Sequence, residues 1–345
     1  MIEPSKSQVI HSDIMSIARY NPIFVVGHPR SGTTLLRAVL SAHKNIFMAN
    51  EPDLIFGMKS SGFSIHEHFD AEKRKALLAA LNRFVGCRRH FASMSADHCE
   101  RFVNRDDITS FKAIFEFLVP RPSDATVWGV KSLQNLYFVD EIFSLYPQAM
   151  MIHIVRNPFA SLLSIYRKRF NKPDDWVPPF GRAGIAFLAY ESMRWSSAIE
   201  AMDRVKSTPY GKSIYELRYE DLVQSPDEKL HEICDLIGIE FDSGMLDCAR
   251  RKHDPICDSE SALAHRRIAQ EIDPSRADSG SALPVWAKYV IRRCGEKPMR
   301  RHGFAFDERP SWLQKTVVDA GLTFYKRKME MRLHHELEQV KNGYY

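Results

Sequence analysis

Ile23-Phe24-Val25-Val26-Gly27-His28-Pro29-Arg30-Ser31-Gly32-Thr33-Thr34-Leu35-Leu36 carries the most informative pattern in the chain. An apolar run ends at a glycine, crosses a short polar loop and resumes with helical apolar spacing. That is the strand–loop–helix of a phosphate-binding loop. Gly27 and Gly32 keep the glycine spacing of the G-x-x-x-x-G-K-[ST] pattern, and Thr34 takes its hydroxyl position, but Thr33 stands where lysine belongs. The lysine normally reaches the β- and γ-phosphates of a nucleoside triphosphate. A loop that keeps the cradle without it is predicted to hold a phosphate and not to transfer a γ-phosphoryl group. Backbone N–H groups at a helix start have no intrahelical partner, and the helix dipole favours an anion there. Gly32 allows a phosphate to approach the backbone closely. Ser31, Thr33 and Thr34 add hydroxyl donors, and Arg30 adds a planar, permanently charged fork. Ordinary capping needs one such residue and not this string.

Working outward, strands are expected at 46–48, 126–131, 150–155 and 213–217. Helices are expected after the loop and over 72–85, 133–146, 182–206, 226–237 and about 310–340, with a mostly helical stretch up to about 125. Met150 to Val155 is apolar throughout, as in a buried parallel strand. Strands alternating with helices predict an α/β fold, a central parallel sheet carrying the phosphate loop and flanked by helices. One domain is expected over residues 1–345, with a core at about 22–305 and a C-terminal helical extension at about 310–340. Residues 255–284 are polar and read as a long functional loop.

A second strand end matters as much as the first, because ligands in open α/β sheets sit beyond the carboxyl ends of strands. Arg156 lies at such an end, with Ser161 and Ser164 on the helix that follows. An arginine and a helix hydroxyl can clamp a second phosphate, so the two strand ends together point to a ligand with two phosphate groups.

These motifs resemble those of the sulfotransferases that use 3′-phosphoadenosine 5′-phosphosulfate (PAPS). Pro29-Arg30-Ser31-Gly32-Thr33-Thr34-Leu35-Leu36 is similar to that family's 5′-phosphosulfate loop, and Val155-Arg156-Asn157-Pro158 with Ser161 and Ser164 to its 3′-phosphate motif. The bacterial and tyrosylprotein branch, with Pro-Arg-Ser-Gly-Thr-Thr, resembles the chain more than the cytosolic animal branch does. The similarity runs from about residue 22 to 305 and includes Trp128-Gly129-Val130-Lys131 and Leu217-Arg218-Tyr219-Glu220-Asp221-Leu222. It implies a three-layer sulfotransferase fold, PAPS as donor and no metal. It implies Glu51 as catalytic base, matching a glutamate just over 20 residues beyond the loop arginine, since an acceptor hydroxyl needs its proton removed. Lys131 would neutralise charge on the oxygen bridging sulfur and phosphate, although Ser132-Leu133 departs from the family pattern after it. Tyr219 falls near the adenine and 3′-phosphate. Arg276 falls where the family carries a basic residue on the phosphates, with Ser261 as a nearby hydroxyl. His28 is a rival base, because the cytosolic branch uses histidine. A P-loop kinase or NTPase with a degenerate loop is the alternative, with Lys131 as its one candidate for the missing lysine.

The rest of the composition narrows the class. A net charge of +5 suits polyanionic ligands, but the aromatic-plus-basic signatures of RNA modules are missing, so nucleic acid is not expected as partner. Cys87, Cys99, Cys234, Cys248, Cys257 and Cys294 lack C-x-x-C spacing and read as free thiols. The N-terminal segment does not read as a secretory signal and no window is apolar enough to span a membrane, so the expected location is cytoplasmic. His66 with His68, and His334 with His335, are too incomplete to read as metal sites. The acceptor is expected to be a hydroxyl of a carbohydrate, lipid, peptide tyrosine or small metabolite. Residues 53–125 and 171–190 are the expected pocket walls, with Phe56, Phe63, Phe69, Phe84, Phe91, Trp176 and Phe180 as its candidate apolar lining or as core. Lys326-Arg327-Lys328 and Arg332 on the C-terminal helix are compatible with a homodimer, an anionic membrane or a solvated face.

Overall fold

The computed structural model describes residues 22–342, except 93, 95, 120, 124, 253–267 and 305–307. Ser261 and Cys257 lie outside the described residues. Five parallel strands form one sheet in the order β2-β3-β1-β4-β5, where β1 is Ile23–Gly27, β2 Ile46–Asn50, β3 Val127–Lys131, β4 Met150–Val155 and β5 Ile214–Arg218. Every residue of β1 is buried, which explains its unbroken apolar run. Chain connections leave β1 toward β2 and leave β4 toward β5, in opposite directions across the sheet. The β1/β4 boundary is therefore a topological switch point, and its crevice at the carboxyl ends is where ligands enter such sheets.

Side-chain alternation builds two cores, one on each face. Ile23 and Val25 of β1 join Leu36, Val39 and Leu40 of α1 (Thr33–Ser41). Phe24 and Val26 face the other way, onto Phe111, Phe115, Phe143 and Tyr146. A third apolar cluster joins α2 (Pro158–Arg169), α3 (Arg182–Lys206), α5 (Val285–Arg301) and the long C-terminal α6 (Trp312–Asn342). Between these, α4 (Pro226–Ile237) opens on a proline and stops at Gly238, whose φ is 79°.

Most expected elements are present with ends shifted by a residue or two. The expected helix over 133–146 is instead a 3-10 turn, Gln134–Tyr137, and a short helix, Val139–Leu145. Phe138 divides them at φ −122° and ψ 36°, with its ring buried in the core. Burying that side chain outweighs the continuity of the helical ladder. Helices Val85–Ala92, Ala96–Val103 and Phe111–Leu118 fill the stretch before β3. Residues 268–284 contain one 3-10 turn, Pro274–Asp278. Among the described residues no helix is long and apolar enough to cross a membrane.

Candidate active site

The loop after β1 is a tight turn held from three sides. Ser31 N–H donates to the His28 carbonyl at 3.1 Å, and Leu36 N–H to Gly32 O at 3.0 Å as α1 begins. Gly32 has φ 98°, and a Cβ there would meet Tyr219 Cδ2 at 2.3 Å. Both facts require glycine. Arg30 also has positive φ, 66°, and its Nε donates to Ser164 Oγ at 3.0 Å. Ser31 Oγ is buried with no hydrogen-bond partner among the described residues. Thr33 and Thr34 open α1, so their amides belong to the helix end.

Arg156, at the end of β4, ties this loop to the residue 274–279 segment. Its Nη1 donates to the Arg30 carbonyl at 3.0 Å, and its Nη2 to Ser279 Oγ at 2.8 Å and to the Arg276 carbonyl at 3.3 Å. Its guanidinium lies 4.0 Å from the Tyr219 ring centroid, a cation–π contact at the end of β5. Pro158 opens α2 under the cap of Asn157, whose Oδ1 accepts from Phe159 N–H at 3.0 Å. Ser164 reaches the cleft. Ser161 does not: it is fully buried and its Oγ donates to the Pro158 carbonyl at 3.4 Å, an ordinary helix-interior bond. Arg276 reaches the cleft wall, with its Nε on Asp273 Oδ2 at 3.2 Å.

Glu51 and Lys131 are 80 residues apart and form an ion pair, Nζ to Oε1. Parallel pairing brings them together: Asn50 of β2 lies in register with Lys131 of β3, and Glu51 N–H donates to the Lys131 carbonyl at 2.6 Å. Lys131 is only 2% exposed while Glu51 is 34% exposed. Burial lowers the Lys131 ammonium below the usual lysine range, against the pull of Glu51. Glu51 and Asp53 both have left-handed backbone, φ 48° and 46°. Strain of that kind in side-chain-bearing residues collects where the surrounding structure dictates a position. Asp53 accepts a hydrogen bond from Ser132 Oγ, so the chain just past β2 is pinned to the chain just past β3. Burial, opposed by that hydrogen bond and assisted by the Glu51 charge, raises the Asp53 carboxyl to about 6. The sequence assigns no role to Asp53, Ser132 or Ser279, although Ser132 directly follows Lys131 and Asp53 lies two residues past Glu51.

The cleft at these strand ends measures about 2110 Å³ and is lined by Arg30, Gly32, Thr33, Thr34, Glu51, Lys131, Arg156, Ser164, Tyr219 and Arg276, among others. Ligand pockets usually run to roughly 300–1,000 Å³, so there is room for two ligands side by side. The cleft wall also carries Arg88, Arg89, Arg167, Lys168 and Lys172, and Lys168 lies within reach of the Glu51 charge. The seven aromatic candidates for an acceptor pocket do not line it. Phe56, Phe69 and Phe91 are core, Phe63, Phe84 and Trp176 pack on the core, and Phe180 lies edge-on to Trp286.

His28 is removed as a base candidate. It is buried, does not line the cleft, and burial with the nearby Arg194 charge pushes it down to about 3. His43 is structural: Asn45 N–H donates to its Nδ1 at 3.0 Å, so its Nε2–H donates to the Glu240 carbonyl at 2.9 Å. Among the described residues Asp203, Glu216 and His302 bring ligand atoms within 4.8 Å of one another. Lys206 and Arg301 already pair with that trio, and none of the three lines the cleft. Cys87, Cys234, Cys248 and Cys294 are free thiols.

A family model described as the sulfotransferase family matches residues 22–243. Nodulation protein NoeE of Sinorhizobium fredii is 26% identical over 233 residues, which are 64% of this chain and 50% of that protein. A putative protein-tyrosine sulfotransferase of Caenorhabditis briggsae is 26% identical over 226 residues, covering 65% of this chain and 68% of that one. An uncharacterized Aquifex aeolicus protein is matched over 36% of its length, so the chain spans half or less of the first two of these relatives that lead the comparison, NoeE and the Aquifex protein. The sulfotransferase domain of the Synechococcus PCC 7002 olefin synthase superposes with a TM-score of 0.56 at 25% identity, over 84% of this chain and 97% of that one. The sulfotransferase domain from the curacin biosynthetic pathway gives 0.55 at 18% identity, over 83% and 99%, and shares the fold. The chain belongs to the sulfotransferase family.

Proposed function

We propose that this chain transfers a sulfuryl group from PAPS to a hydroxyl acceptor by in-line displacement. The observation that carries the reading is the pair of buried Lys131 and half-exposed Glu51 at the ends of β3 and β2, opening into the same cleft as the lysine-less loop. The residues fit such a donor. The Ser31 hydroxyl is buried without a partner, and the bare Gly32 backbone leaves a cradle beside Tyr219. In this reading Arg30, Ser31, Gly32, Thr33 and Thr34 take the 5′-phosphosulfate. Arg156 and Ser164 take the 3′-phosphate, with Tyr219 against the nucleoside and Arg276 closing the phosphate side.

Glu51 accepts the acceptor proton as the acceptor oxygen bonds to sulfur and the sulfur–oxygen bond to phosphate breaks. A carboxylate held by an ammonium is a weak base, because the pairing favours its ionised form. Lys131 therefore changes partner: it leaves Glu51 for the bridging oxygen of the donor. The same move raises the basicity of Glu51 and places positive charge where the leaving phosphate gains negative charge. Arg30 and the start of α1 hold the remaining charge. PAPS supplies the activated sulfuryl group, and the chain supplies position, proton acceptance and charge.

The test is transfer of labelled sulfate from PAPS to a panel of acceptors that includes neutral sugars, phenols, lipid alcohols and hydroxyl compounds bearing an anionic group. Transfer to at least one class, lost in Glu51→Gln, is the expected result. ATP-dependent phosphoryl transfer in its place would move the chain to the kinase reading.

A further inference from the structure

The C-terminal helix α6 carries two apolar faces. One is packed: Val318, Leu322 and Leu333 are buried, and Met329 lies against the same cluster. That face docks on α3 and α5, fastened by Tyr190 Oη on Glu336 and Tyr289 Oη on Asp319. The other face is bare. Leu313, Val317, Phe324 and Met331 are exposed, with Phe324 at 79%. Val317, Phe324 and Met331 recur every seven residues, so they lie along one line of the helix, with Leu313 one turn before Val317. Trp312, also 79% exposed, stands at the start of the helix.

The cations of this helix sort into two groups. Lys315, Lys326, Arg332 and His334 lie within ion-pair distance of Asp319, Glu330, Glu336 and Glu338, each four residues on. Arg327 and Lys328 are exposed and form no ion pair among the described residues. They sit three and four residues after Phe324, and four and three before Met331, so both flank the apolar line directly. An apolar strip flanked between Phe324 and Met331 by two unpaired positive charges matches one kind of surface, apolar within and anionic at its edge.

A second copy of the chain is a poorer match. In a two-helix seam along Val317, Phe324 and Met331, the intervening positions would be Leu313, Ala320, Arg327 and His334. One of them is Arg327, and the Arg327 charges of the two copies would enter the core of the contact.

We propose that the exposed face of α6 seats the protein on an anionic lipid surface. Phe324, Met331, Val317 and Leu313 enter the acyl boundary, Trp312 sits at headgroup level, and Arg327 and Lys328 lie against anionic headgroups. The proposal does not depend on the sulfotransfer reading.

Sedimentation of the full chain with vesicles tests it, using phosphatidylglycerol-containing vesicles and pure phosphatidylcholine vesicles at low and high salt. Binding to the anionic vesicles is expected, weakened by salt. Arg327→Gln with Lys328→Gln should weaken it by about 20- to 30-fold. Phe324→Glu with Met331→Glu should abolish it, with helicity and melting temperature unchanged because both side chains are exposed. No sedimentation with anionic vesicles overturns the proposal, as does equal binding to both lipids. A dimer in light scattering that Phe324→Glu splits also overturns it, and assigns the face to a second copy.

Discussion

Lys131→Met separates the two halves of the account, because stability and activity should move in different directions. Methionine keeps an unbranched apolar stem, one atom shorter, and removes the ammonium with its charge and its hydrogen bond to Glu51. Lys131 is 2% exposed and burial depresses its ammonium despite Glu51 beside it. The folded state therefore holds this charge at a net cost, as buried pairs often do. Glu51, 34% exposed, is left with water when the lysine is gone, so the usual penalty of an orphaned buried charge does not apply in full. Stability in differential scanning calorimetry should stay level or rise by about 1 kcal/mol. The sign has a pH signature. A depressed folded-state value means that wild-type stability grows as pH is raised toward the ordinary lysine range and falls as pH drops through the folded value. The Met variant should lack that rise. Turnover should drop by about 10²–10³, the loss on removing one transition-state charge partner, or about 2.7–4 kcal/mol. A variant that melts several degrees lower yet turns over normally would refute the reasoning, making Lys131 a structural cation.

Glu51→Gln keeps the shape and removes the base, so kcat should fall by about 10²–10⁴ while the dissociation constant for adenosine 3′,5′-bisphosphate changes little, checked by steady-state kinetics and calorimetric titration. Gly32→Ala drives a Cβ to 2.3 Å from Tyr219 at φ 98°; a destabilisation of about 2–4 kcal/mol in denaturant melts is expected, with bisphosphate binding lost at temperatures where the fold persists. His28 is buried and pushed down to about 3, so its neutral form contributes stability in full above about 6.5, which is lost as pH falls toward about 3, by up to about 4–5 kcal/mol. His28→Gln should flatten that acid limb in pH-dependent urea melts, and an unchanged limb would place the acid sensitivity elsewhere.

The parts of the fold that were legible are those written in local pattern. The all-buried β1 had to be apolar throughout, and the loop from Arg30 to Thr34 carries its own glycine, hydroxyl and charge chemistry. Arg156 follows from its place at a strand end, the family resemblance adds Glu51, Lys131 and Tyr219, and the structure brings all four to one cleft. What stayed hidden depends on contacts between distant residues that side-chain identity does not announce. Arg156 spends two of its donors on the backbone carbonyls of Arg30 and Arg276, and a carbonyl has no sequence signature. The Asp53–Ser132 link became visible only once β2 and β3 were known to be neighbours. Phe138 broke an expected helix because its burial is set by the opposite wall of the core. The aromatic residues between 53 and 125 gave no guide to the acceptor side, because the core claims nearly all of them.

Competitive calorimetry of adenosine 3′,5′-bisphosphate against ADP decides whether the cleft is built for a 3′-phosphorylated donor. The two ligands share an adenosine 5′-phosphate and differ in where the second phosphate sits: on the 3′-oxygen, where Arg156 and Ser164 are assigned to hold it, or as the β-phosphate of ADP. Binding of the bisphosphate is expected to be at least about 100-fold tighter, the worth of one or two charge-assisted hydrogen bonds, with the advantage shrinking in Arg156→Lys. Equal affinity for the two, or a preference for ADP with magnesium, would contradict it.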